Sequence, residues 1–600
     1  MHYFTLVHLS TNSSNLLYMG ISIMSSQIHE IKRIKVSPVK DNSILAKTRY
    51  LPSNLRLRVV EHPQNIKPYG NFVLADDAQK LAVLKSKGSF FGGLSDDLIM
   101  EIVNLLDTPD LIHLMHTSRY FYGFVSFDQI WRDLYIKRLL QQEQGKSIRF
   151  SKWRGSWRNS VLGIDCQSKI NCDVVYSDIL YEQYQNSQVK YQDLFSNLIK
   201  EQEVLRQQKP LVMKNSAPLK SYYKGRIPRI DEETFTMEDY NTNWYNHPFI
   251  LQSADKNRWP KWTTDYLQDK FSDVKFRQES VEWRLSRYMD YARNNNDEKP
   301  LYLFDCNSNA TRELGKEFSP PPYAKDDLLK VLGESRPDHL WLTVGPTRSG
   351  SGFHKDPNST CAWNAVLQGA KLWIMFPPDM LPPGIHTDES ESEVTAPVDV
   401  AEWVLSGFYN DAVKISDQAY NNQGLSCVIG MTFPGDCMYV PAQWWHTVIN
   451  FEDTVALTAN FVPSVRLEEV LKFFKNKQDQ VSGFHAKKFR KHLEEFIVHE
   501  GDTLDKNMHS KFEKFLNASN MKDTDEDVGE LHTSTIDLPV FEFLVEKLRR
   551  TKYSERLEKA LDAIRKEENK TKPSGRSQLW ENLAKEKSNG FSFSFNLGVS

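Results

Sequence analysis

The 600-residue sequence has few cysteines and no pairing pattern among them. None forms a Cys-x-x-Cys pair, which argues against a disulfide framework and against a zinc module built from thiolates. We therefore expect reduced thiols and a location in the nucleus or the cytoplasm. The six cysteines are Cys166, Cys172, Cys306, Cys361, Cys427 and Cys437.

Long hydrophobic runs and a strong net charge are also lacking. No stretch approaches the roughly 18 consecutive apolar residues of a membrane-spanning helix, so we expect no membrane partner. The formal net charge is only −3 at pH 7, which gives no global argument for nucleic-acid binding.

The N-terminus has no basic n-region, and Ser, Thr and Asn interrupt its apolar run, so we reject a signal peptide.

The first 24 residues raise a separate question about the start of translation. Met24 is followed by a more ordinary polar sequence, SSQIHEIKRIKV. One hypothesis is that the true start is a later methionine than Met1. A peptide of the endogenous protein that begins before Met19 would contradict this hypothesis.

Between residues 91 and 134, apolar residues recur at helical spacing and predict three short helices. Ser95 precedes the first helix as an N-cap, and Pro109 separates the first helix from the second. The segment LSDDLIMEIVNLLDTPDLIHLMHTSRYFYGFVSFDQIWRDLY, with its closing Ile-Trp pair, resembles an F-box. That resemblance implies docking to the Skp-type adaptor of a cullin ubiquitin ligase.

A segment that is both aromatic and basic follows, SIRFSKWRGSWRNSVL at 148–163. Two interpretations of it are open. It could bind an anionic partner, or Trp153 and Trp157 could pack between domains.

Strand patterns dominate the centre of the chain. KPLVMK (209–214) and HPFIL (247–251) predict short buried strands, and β character continues to about Val462. The sequence beyond Val462 is helical and charged. Its last residues, from about 571, are predicted to be disordered.

His354 and Asp356 form an H-x-D arrangement in GPTRSGSGFHKDPNSTCAWNAVLQGAKLWIMFPP. Alternate residues of a strand project from the same face, so we expect both side chains at the mouth of one sheet. His446, 90 residues beyond Asp356, follows an alternating strand pattern in GDCMYVPAQWWHTVINF. Two imidazoles and one carboxylate leave three positions open on an octahedral metal, which is the ligand set of non-haem Fe(II) oxygenases.

Neighbouring strands carry groups suited to a dicarboxylate. Lys371 lies across a tight Gln-Gly turn from Asn364, and Thr458 and Asn460 alternate onto one face of the last strand. A buried lysine without a carboxylate partner is costly. 2-Oxoglutarate, which chelates iron through its keto acid, would offset that cost through its distal carboxylate.

These segments, together with PLYLFD (300–305) and ALTANF, closely resemble the Jumonji C family, particularly its lysyl-hydroxylase and arginyl-demethylase branch. The resemblance covers roughly residues 235–470 and implies a double-stranded β-helix, the cupin fold. It also implies Fe(II), 2-oxoglutarate and O2, with release of succinate and CO2 coupled to hydroxylation of a protein substrate. On an N-methyl carbon, the same reaction leads to demethylation by loss of formaldehyde.

The same resemblance assigns eight residues to the site. Three match the iron ligands, which are also the catalytic positions: His354, Asp356 and His446. Five match the 2-oxoglutarate pocket: Tyr302, Ser351, Asn364, Lys371 and Thr458. Ser351 stands where the branch has a threonine, and it keeps the hydroxyl.

The sequence therefore predicts a multidomain α+β protein, with a cupin (Jumonji C) barrel surrounded by helices and preceded by a three-helix F-box. The resemblance also suggests a homodimer formed through the C-terminal helices. The predicted segments are an irregular N-terminal region (1–88), the F-box (89–136), a helical or irregular connector (137–234), the oxygenase domain (235–470), a C-terminal helical region (471–570) and a disordered tail (571–600).

Three functions remain open from the sequence. The first is a protein hydroxylase or N-methyl demethylase that also docks to a ubiquitin ligase. The second is an F-box substrate receptor whose barrel only binds its target. The third is a nucleic-acid oxygenase, which would need a basic and aromatic groove near the barrel mouth. KWTTDYLQDKF is too mixed in composition to be claimed as that groove.

Overall fold

The structure, a computed structural model, describes most residues between 89 and 571. The described ranges are 70–71, 89–143, 152–165, 176–177, 191–212, 226–279, 281–297, 299–396, 399–405, 407–422, 426–518 and 538–571. The predicted irregular region, the question of the start methionine and the predicted disordered tail lie almost wholly outside them.

Four of the six cysteines lie within the described residues, and all four are free thiols, as predicted: Cys306, Cys361, Cys427 and Cys437. Cys166 and Cys172 lie outside the described ranges. Within the same ranges, no helix combines the length and the apolar character needed to cross a membrane.

The F-box sequence forms four α-helices where three were predicted. Ser95 caps the first, as predicted, because its hydroxyl accepts a hydrogen bond from the backbone N–H of Leu98. The unpredicted helix is the third, where Ser118 ends one helix in an extended conformation and caps the next through the N–H of Phe121. Its sequence, RYFYGFV, is apolar almost throughout, so it shows no helical periodicity. The four helices are α1 (Asp96–Asn104), α2 (Thr108–Thr117), α3 (Arg119–Val125) and α4 (Asp128–Glu143).

Further helices surround the central sheets and form the C-terminal region. They are α5 (Trp157–Leu162), α6 (Tyr191–Leu194), α7 (Ser196–Gln207), α8 (Met237–Asp239), α9 (Thr264–Phe271), α10 (Leu285–Arg293), α11 (Asn309–Leu314), α12 (Val400–Leu405), α13 (Phe408–Asn422), α14 (Leu467–Asn476), α15 (Ala486–Glu500), α16 (Lys506–Ala518), α17 (Val540–Arg549) and α18 (Ser554–Thr571). A π-helix continues α8 at Tyr240–Trp244, and short 3-10 helices lie at Ser89–Gly93, Pro322–Lys325, Leu328–Ser335, Pro357–Ser359, Ser464–Arg466, Gln478–Gln480 and Gly501–Thr503.

The strands are short, and most of them are buried. They are β1 (Gly70–Asn71), β2 (Tyr176–Ser177), β3 (Arg229–Asp231), β4 (Phe249–Gln252), β5 (Lys275–Gln278), β6 (Val281–Arg284), β7 (Leu303–Asp305), β8 (Leu340–Gly345), β9 (Gly350–His354), β10 (Cys361–Gln368), β11 (Lys371–Phe376), β12 (His386–Thr387), β13 (Val394–Thr395), β14 (Val428–Thr432), β15 (Asp436–Val440), β16 (Trp445–Asn450) and β17 (Thr454–Phe461).

Two large sheets form the centre of the fold. The nine-stranded sheet has the order β3-β4-β15-β10-β17-β8-β7-β5-β6, and the four-stranded sheet has the order β14-β11-β16-β9. Lys371 of the smaller sheet hydrogen-bonds Tyr302, next to β7 of the larger one, so the two sheets enclose a shared interior. This arrangement agrees with the predicted cupin fold, although no ladder among the described residues joins the two sheets into a closed barrel.

The chain passes from the larger sheet to the smaller one at Gly369, between β10 and β11. Gly369 has φ +78°, and a Cβ atom there would lie 2.5 Å from the carbonyl oxygen of Asp453. Only glycine fits a left-handed position with so close a neighbour. The tight turn predicted from the sequence is therefore imposed both by conformation and by packing.

One of the two predicted buried strands is wrong. HPFIL contains β4, which is buried, but KPLVMK contributes only a single bridge between Leu211 and Ile230. Leu211 and Val212 are 40% and 60% exposed, and residues 213–214 lie outside the described ranges. The segment lies beside the outermost strand, β3, where no described residue covers these two side chains. A short apolar run does not by itself reveal such an edge position.

The C-terminal helices bury their apolar residues within the chain. Phe474 on α14, Phe489 on α15 and Phe543 on α17 share one cluster with Leu328 and Leu332 of the 3-10 helix before β8. This cluster explains the amphipathic pattern of these helices without a second subunit. The predicted homodimer therefore stays a prediction.

The two tryptophans of the aromatic and basic segment pack between the F-box and the sheets. Trp157 lies 5.3 Å from Tyr135 of α4 and 5.5 Å from Tyr291 of α10, measured between ring centroids. Its indole N–H donates to Asp297, 2.8 Å away, and the hydroxyl of Tyr291 donates to the same carboxylate at 2.6 Å. Of the two interpretations left open, the packing role is the one observed.

Asp297 makes the stability of this junction dependent on pH. Burial raises the pKa of Asp297 to about 6, although the two donors and nearby arginines lower it. The folded state therefore holds the proton more tightly than the unfolded chain, so the free energy of unfolding should fall as pH rises from about 4 to 6. Between pH 4.5 and 6.5, we expect the free energy of unfolding of the non-titrating variant Asp297→Asn to fall by on the order of 2 kcal/mol less than that of the wild-type protein. Urea denaturation at pH 4.5 and 6.5 measures the difference, and equal losses in both proteins would refute it.

Candidate active site

Two histidines face one another across paired strands. β16 pairs with β9 so that His446 lies opposite His354, and their ring centroids are 4.2 Å apart. Asp356 lies two residues beyond the end of β9, where φ −60° and ψ 141° keep the backbone extended. The H-x-D alternation therefore continues past the strand, and one ligand atom from each of the three residues lies within 4.8 Å of the others.

Both imidazoles are oriented by backbone carbonyls. Nδ1 of His354 lies 2.8 Å from the carbonyl oxygen of Gly352, and Nδ1 of His446 lies 3.1 Å from that of Trp444. A ring whose Nδ1–H donates to a carbonyl has its lone pair on Nε2. In both residues, Nε2 is then the atom available to a metal.

Burial shifts the proton affinities of the cluster. The pKa of Asp356 rises to about 6 because it is buried, whereas His354 and a hydrogen bond from Asn460 act to lower it. The pKa of His446 falls well below its ordinary value, first because of burial and then because of His354. His446 is therefore neutral near pH 7 and can act as a ligand, and its 3.9 Å contact with Asp356 is not an ion pair.

Asp356 leaves one oxygen without a partner. Its Oδ2 is fully buried and makes no hydrogen bond with the described residues. An unsatisfied buried acceptor costs about 1–3 kcal/mol, and more if it is charged. Two imidazole nitrogens and one unpaired carboxylate oxygen fit a divalent transition metal with open coordination positions.

Lys371 lies in the same interior and is only 1% exposed. Its ammonium donates to the hydroxyl of Tyr302 at 2.7 Å and to Oδ1 of Asn450 at 2.9 Å. Among the described residues, no carboxylate lies within ion-pair distance of it. Within the described residues, the cation is therefore oriented by neutral groups and has no countercharge.

Asn450 was missed at the sequence level. Its Oδ1 accepts from Lys371, and its Nδ2 donates to the hydroxyl of Ser349 at 2.8 Å. A Cβ atom at Gly345 would lie 2.5 Å from both Asn450 Nδ2 and Ser349 Oγ, so a glycine is needed there. Strand periodicity was the available signal, because Asn450 lies four residues after His446 and so on the same face of β16.

Asn364 and Thr458 are cross-strand neighbours in the larger sheet. Thr458 donates to the carbonyl oxygen of Trp363 at 2.9 Å, and Oδ1 of the buried Asn364 makes no hydrogen bond within the described residues. Asn364 thus offers an unused polar group at a position where a polar co-substrate is expected. Trp341 lies opposite Thr458 on the next strand and stacks on Phe304, which is 42% exposed.

Ser351 lies on the same face as His354 because of an irregularity in strand pairing. His354 lies opposite His446, whereas Ser351 lies opposite Val448, so three steps on β9 match two on β16. A bulge of this kind brings residues at odd spacing onto one face. Simple alternation would have placed Ser351 and His354 on opposite faces.

Asn460 lies close to the metal carboxylate. It hydrogen-bonds Asp356, and its Nδ2 donates to the hydroxyl of Thr360 at 2.7 Å. The sequence grouped Asn460 with Thr458 toward the 2-oxoglutarate pocket. The contacts instead associate Asn460 with the turn that carries Asp356.

Comparison with known proteins agrees with this geometry. The cupin-like domain family matches residues 196–467, and the F-box domain family matches residues 91–133. The arginine-specific demethylase JMJ22 of Arabidopsis thaliana is 32% identical over 466 residues, which cover 74% of this chain and 83% of that protein.

The chain belongs to the Jumonji C family of cupin-like proteins.

Other relatives match a smaller share of this chain. The bifunctional arginine demethylase and lysyl-hydroxylase psr-1 of Caenorhabditis elegans is 31% identical over 265 residues, which cover 40% of this chain and 62% of psr-1. The 2-oxoglutarate and iron-dependent oxygenase JMJD4 of Mus musculus is 24% identical, over 39% of this chain and 60% of that protein. The chain thus spans less than two thirds of the length of these two relatives.

Proposed function

We propose that this chain is an Fe(II)- and 2-oxoglutarate-dependent oxygenase that acts on protein side chains. The observation that carries the proposal is the convergence of His354, Asp356 and His446, with ligand atoms within 4.8 Å of one another. Bound iron would couple the conversion of 2-oxoglutarate and O2 into succinate and CO2 to the insertion of one oxygen atom into a substrate C–H bond. The names of the relatives support the same chemistry.

The residues of the chain bind and orient the reactants. His354, Asp356 and His446 would hold one face of the metal and leave the other face to ligands. Lys371 and Tyr302 would bind the distal carboxylate of 2-oxoglutarate through charge-assisted hydrogen bonds. The pocket would be completed by the hydroxyls of Ser351 and Thr458 and the unpaired amide of Asn364. No side chain is needed as a general base.

The substrate we propose is a lysine or methyl-arginine side chain of a protein. The relatives include an arginine-specific demethylase and a bifunctional arginine demethylase and lysyl-hydroxylase. The stacked and partly exposed pair Phe304 and Trp341 is suited to a cationic side chain, because aromatic faces attract cations. The product is a stable hydroxyl on an ordinary carbon, or formaldehyde when the carbon is an N-methyl group.

The test is Fe(II)-dependent succinate production from 2-oxoglutarate by the purified full chain, with and without cell extract. We expect turnover that requires added iron and rises with extract, because the extract supplies the protein substrate. Formaldehyde release then separates demethylation from hydroxylation. No turnover, with the adaptor still captured, would favour a substrate receptor whose cupin domain only binds. Stimulation that is lost when the extract is treated with nuclease would favour a nucleic-acid substrate.

We also propose that the F-box docks to a Skp-type adaptor. Leu105, at the end of α1, is 86% exposed, and none of the described residues covers it. An unpaired carboxylate buried in an apolar interface is costly, so Leu105→Asp should weaken adaptor capture by about 10-fold or more. Val498→Asp is the matched control, since Val498 is 80% exposed on α15, outside the F-box. Pull-down with purified adaptor measures both, and equal capture by all three proteins would contradict the proposed docking contact.

Three further assignments stand as proposals. The six predicted segments keep their boundaries, although the cupin family match begins at residue 196, within the predicted connector 137–234. Limited proteolysis would test these boundaries. Light scattering would test the homodimer, and imaging of the tagged protein would test the nuclear or cytoplasmic location.

A further inference from the structure

The turn that follows Asp356 has an unusual backbone. Asn358 and Ser359 both have positive φ, 56° and 53°, directly after Pro357. Two consecutive non-glycine residues in the left-handed region are disfavoured, and asparagine tolerates that region better than most residues. The surrounding structure must therefore hold this turn in place.

Besides Asn460, a contact from the C-terminal region holds the turn. Asn358 is 3% exposed, and its Nδ2 donates to the carbonyl oxygen of Ser482 at 2.8 Å. The backbone N–H of Ser482 donates back to Oδ1 of Asn358 at 3.1 Å. The amide of Asn358 thus uses both of its ends on one peptide segment, which fixes its position and orientation.

Ser482 is itself held in place. It lies between the 3-10 helix Gln478–Gln480 and α15, and its neighbours Val481 and Phe484 are buried in the C-terminal hydrophobic cluster. The predicted C-terminal helical region therefore reaches to within two residues of the proposed metal carboxylate.

The 3-10 helix Gln478–Gln480, which precedes Ser482, also contacts the other side of the H-x-D segment. Gln480 donates to the carbonyl oxygen of Ser390 at 3.3 Å, in the loop between β12 and β13. Glu391 in that loop forms a 2.6 Å ion pair with Lys355, which lies between His354 and Asp356. The ion pair on this second route is only partly buried, with Lys355 13% and Glu391 30% exposed, so we expect it to contribute less than the buried amide.

From these contacts we propose that Asn358 is a positioning residue for Asp356 and that the C-terminal helical region thereby sets the metal affinity of the site. The inference rests on the proposed function only through the identity of the metal. Partners of metal ligands typically change metal affinity by about 10–100-fold when they are removed. Asn358→Ala and Asn358→Gly both remove the two hydrogen bonds to Ser482. They differ in that glycine accepts the positive φ without strain.

The experiment uses the full chain and anaerobic calorimetric titration with Fe(II). We expect both Asn358 variants to bind Fe(II) about 10-fold more weakly than the wild-type protein. Their affinity for 2-oxoglutarate at saturating metal should be unchanged, because Lys371 and Tyr302 do not contact this turn. The matched control is Gln480→Ala, which alters the same connection without touching Asn358 and should bind Fe(II) like the wild-type protein.

Each outcome decides the proposal. If Asn358→Gly binds Fe(II) like the wild-type protein, the residue serves only the conformation of the turn, and the proposal is wrong. If Gln480→Ala binds Fe(II) as weakly as the Asn358 variants do, the metal affinity depends on all contacts between the C-terminal region and the H-x-D segment. The assignment to the amide of Asn358 is then wrong. If Asn358→Ala does not fold, the glycine variant decides alone. If the wild-type protein binds no Fe(II), the proposed function and this inference fail together, whereas unchanged variants of a metal-binding protein would overturn the inference alone.

Discussion

Replacement of His446 by alanine is expected to weaken Fe(II) binding by more than about 100-fold, beyond the range typical of outer-shell partners, and to abolish succinate release. His446 would supply one of only three protein ligands, and its Nε2 is directed toward Asp356 and the metal position. With two ligands left, the site cannot hold the metal against competition from water. Anaerobic metal titration and succinate release are the measurements.

A second histidine provides the control. Nε2 of His485 lies 2.9 Å from Oδ1 of Asp338, so this pair also joins an imidazole to a carboxylate, but it belongs to no metal-ligand cluster in the described residues. We expect His485→Ala to keep its iron and its turnover. Turnover by His446→Ala would refute the proposed triad, and equal loss in both variants would indicate a general loss of the fold.

The residues that alternate along strands could be predicted from the sequence. His354 and Asp356 share a face because they are two residues apart. Thr458 lies opposite Asn364 in the neighbouring strand, so these two side chains also share a face. Periodicity requires only that a strand be present, and the apolar residues around these positions indicated the strands. The chemical types of the side chains then pointed to a metal and a carboxylate.

Features that depend on pairing between distant segments could not be predicted in this way. Ser351 shares a face with His354 because of a bulge between β9 and β16, and one strand alone carries no signal of its register with another. Asn358 contacts Ser482, which is 124 residues further along the chain. Its role depends on a buried contact and on a left-handed backbone, and neither has a local sequence pattern. The exposure of KPLVMK is a further example, because it depends on a position at the edge of a sheet.

Lys371 provides the second large expected effect. We expect Lys371→Ala to raise the KM for 2-oxoglutarate by about 10–100-fold, since each hydrogen bond between charged groups contributes about 1.5–3 kcal/mol. Lys371 is 1% exposed, and its hydrogen-bond partners among the described residues, Tyr302 and Asn450, are neutral, so a carboxylate ligand would give the ammonium a countercharge. Iron affinity should stay within a factor of about three, because Lys371 is not a metal ligand.

Two variants separate the charge of Lys371 from its volume and from its partner. Lys371→Met fills most of the same space without the charge, so it should lose 2-oxoglutarate affinity as Lys371→Ala does while avoiding most of the cavity cost. Tyr302→Phe keeps the cation and removes one hydroxyl, so a smaller loss of about 10-fold is expected. Titration of 2-oxoglutarate at saturating metal measures all three variants.

The affinities of each variant for 2-oxoglutarate and for Fe(II) together decide the role of Lys371. If 2-oxoglutarate affinity falls while iron affinity holds, Lys371 acts on the co-substrate and the interior between the two sheets is its binding site. If both affinities fall together in Lys371→Met, the charge is instead needed to hold Asn450 and β16 in place. His446 lies on that strand, so the loss of iron would then be indirect. A wild-type affinity for 2-oxoglutarate in Lys371→Met would contradict the proposed pocket, because the only buried cation described within it would then be dispensable.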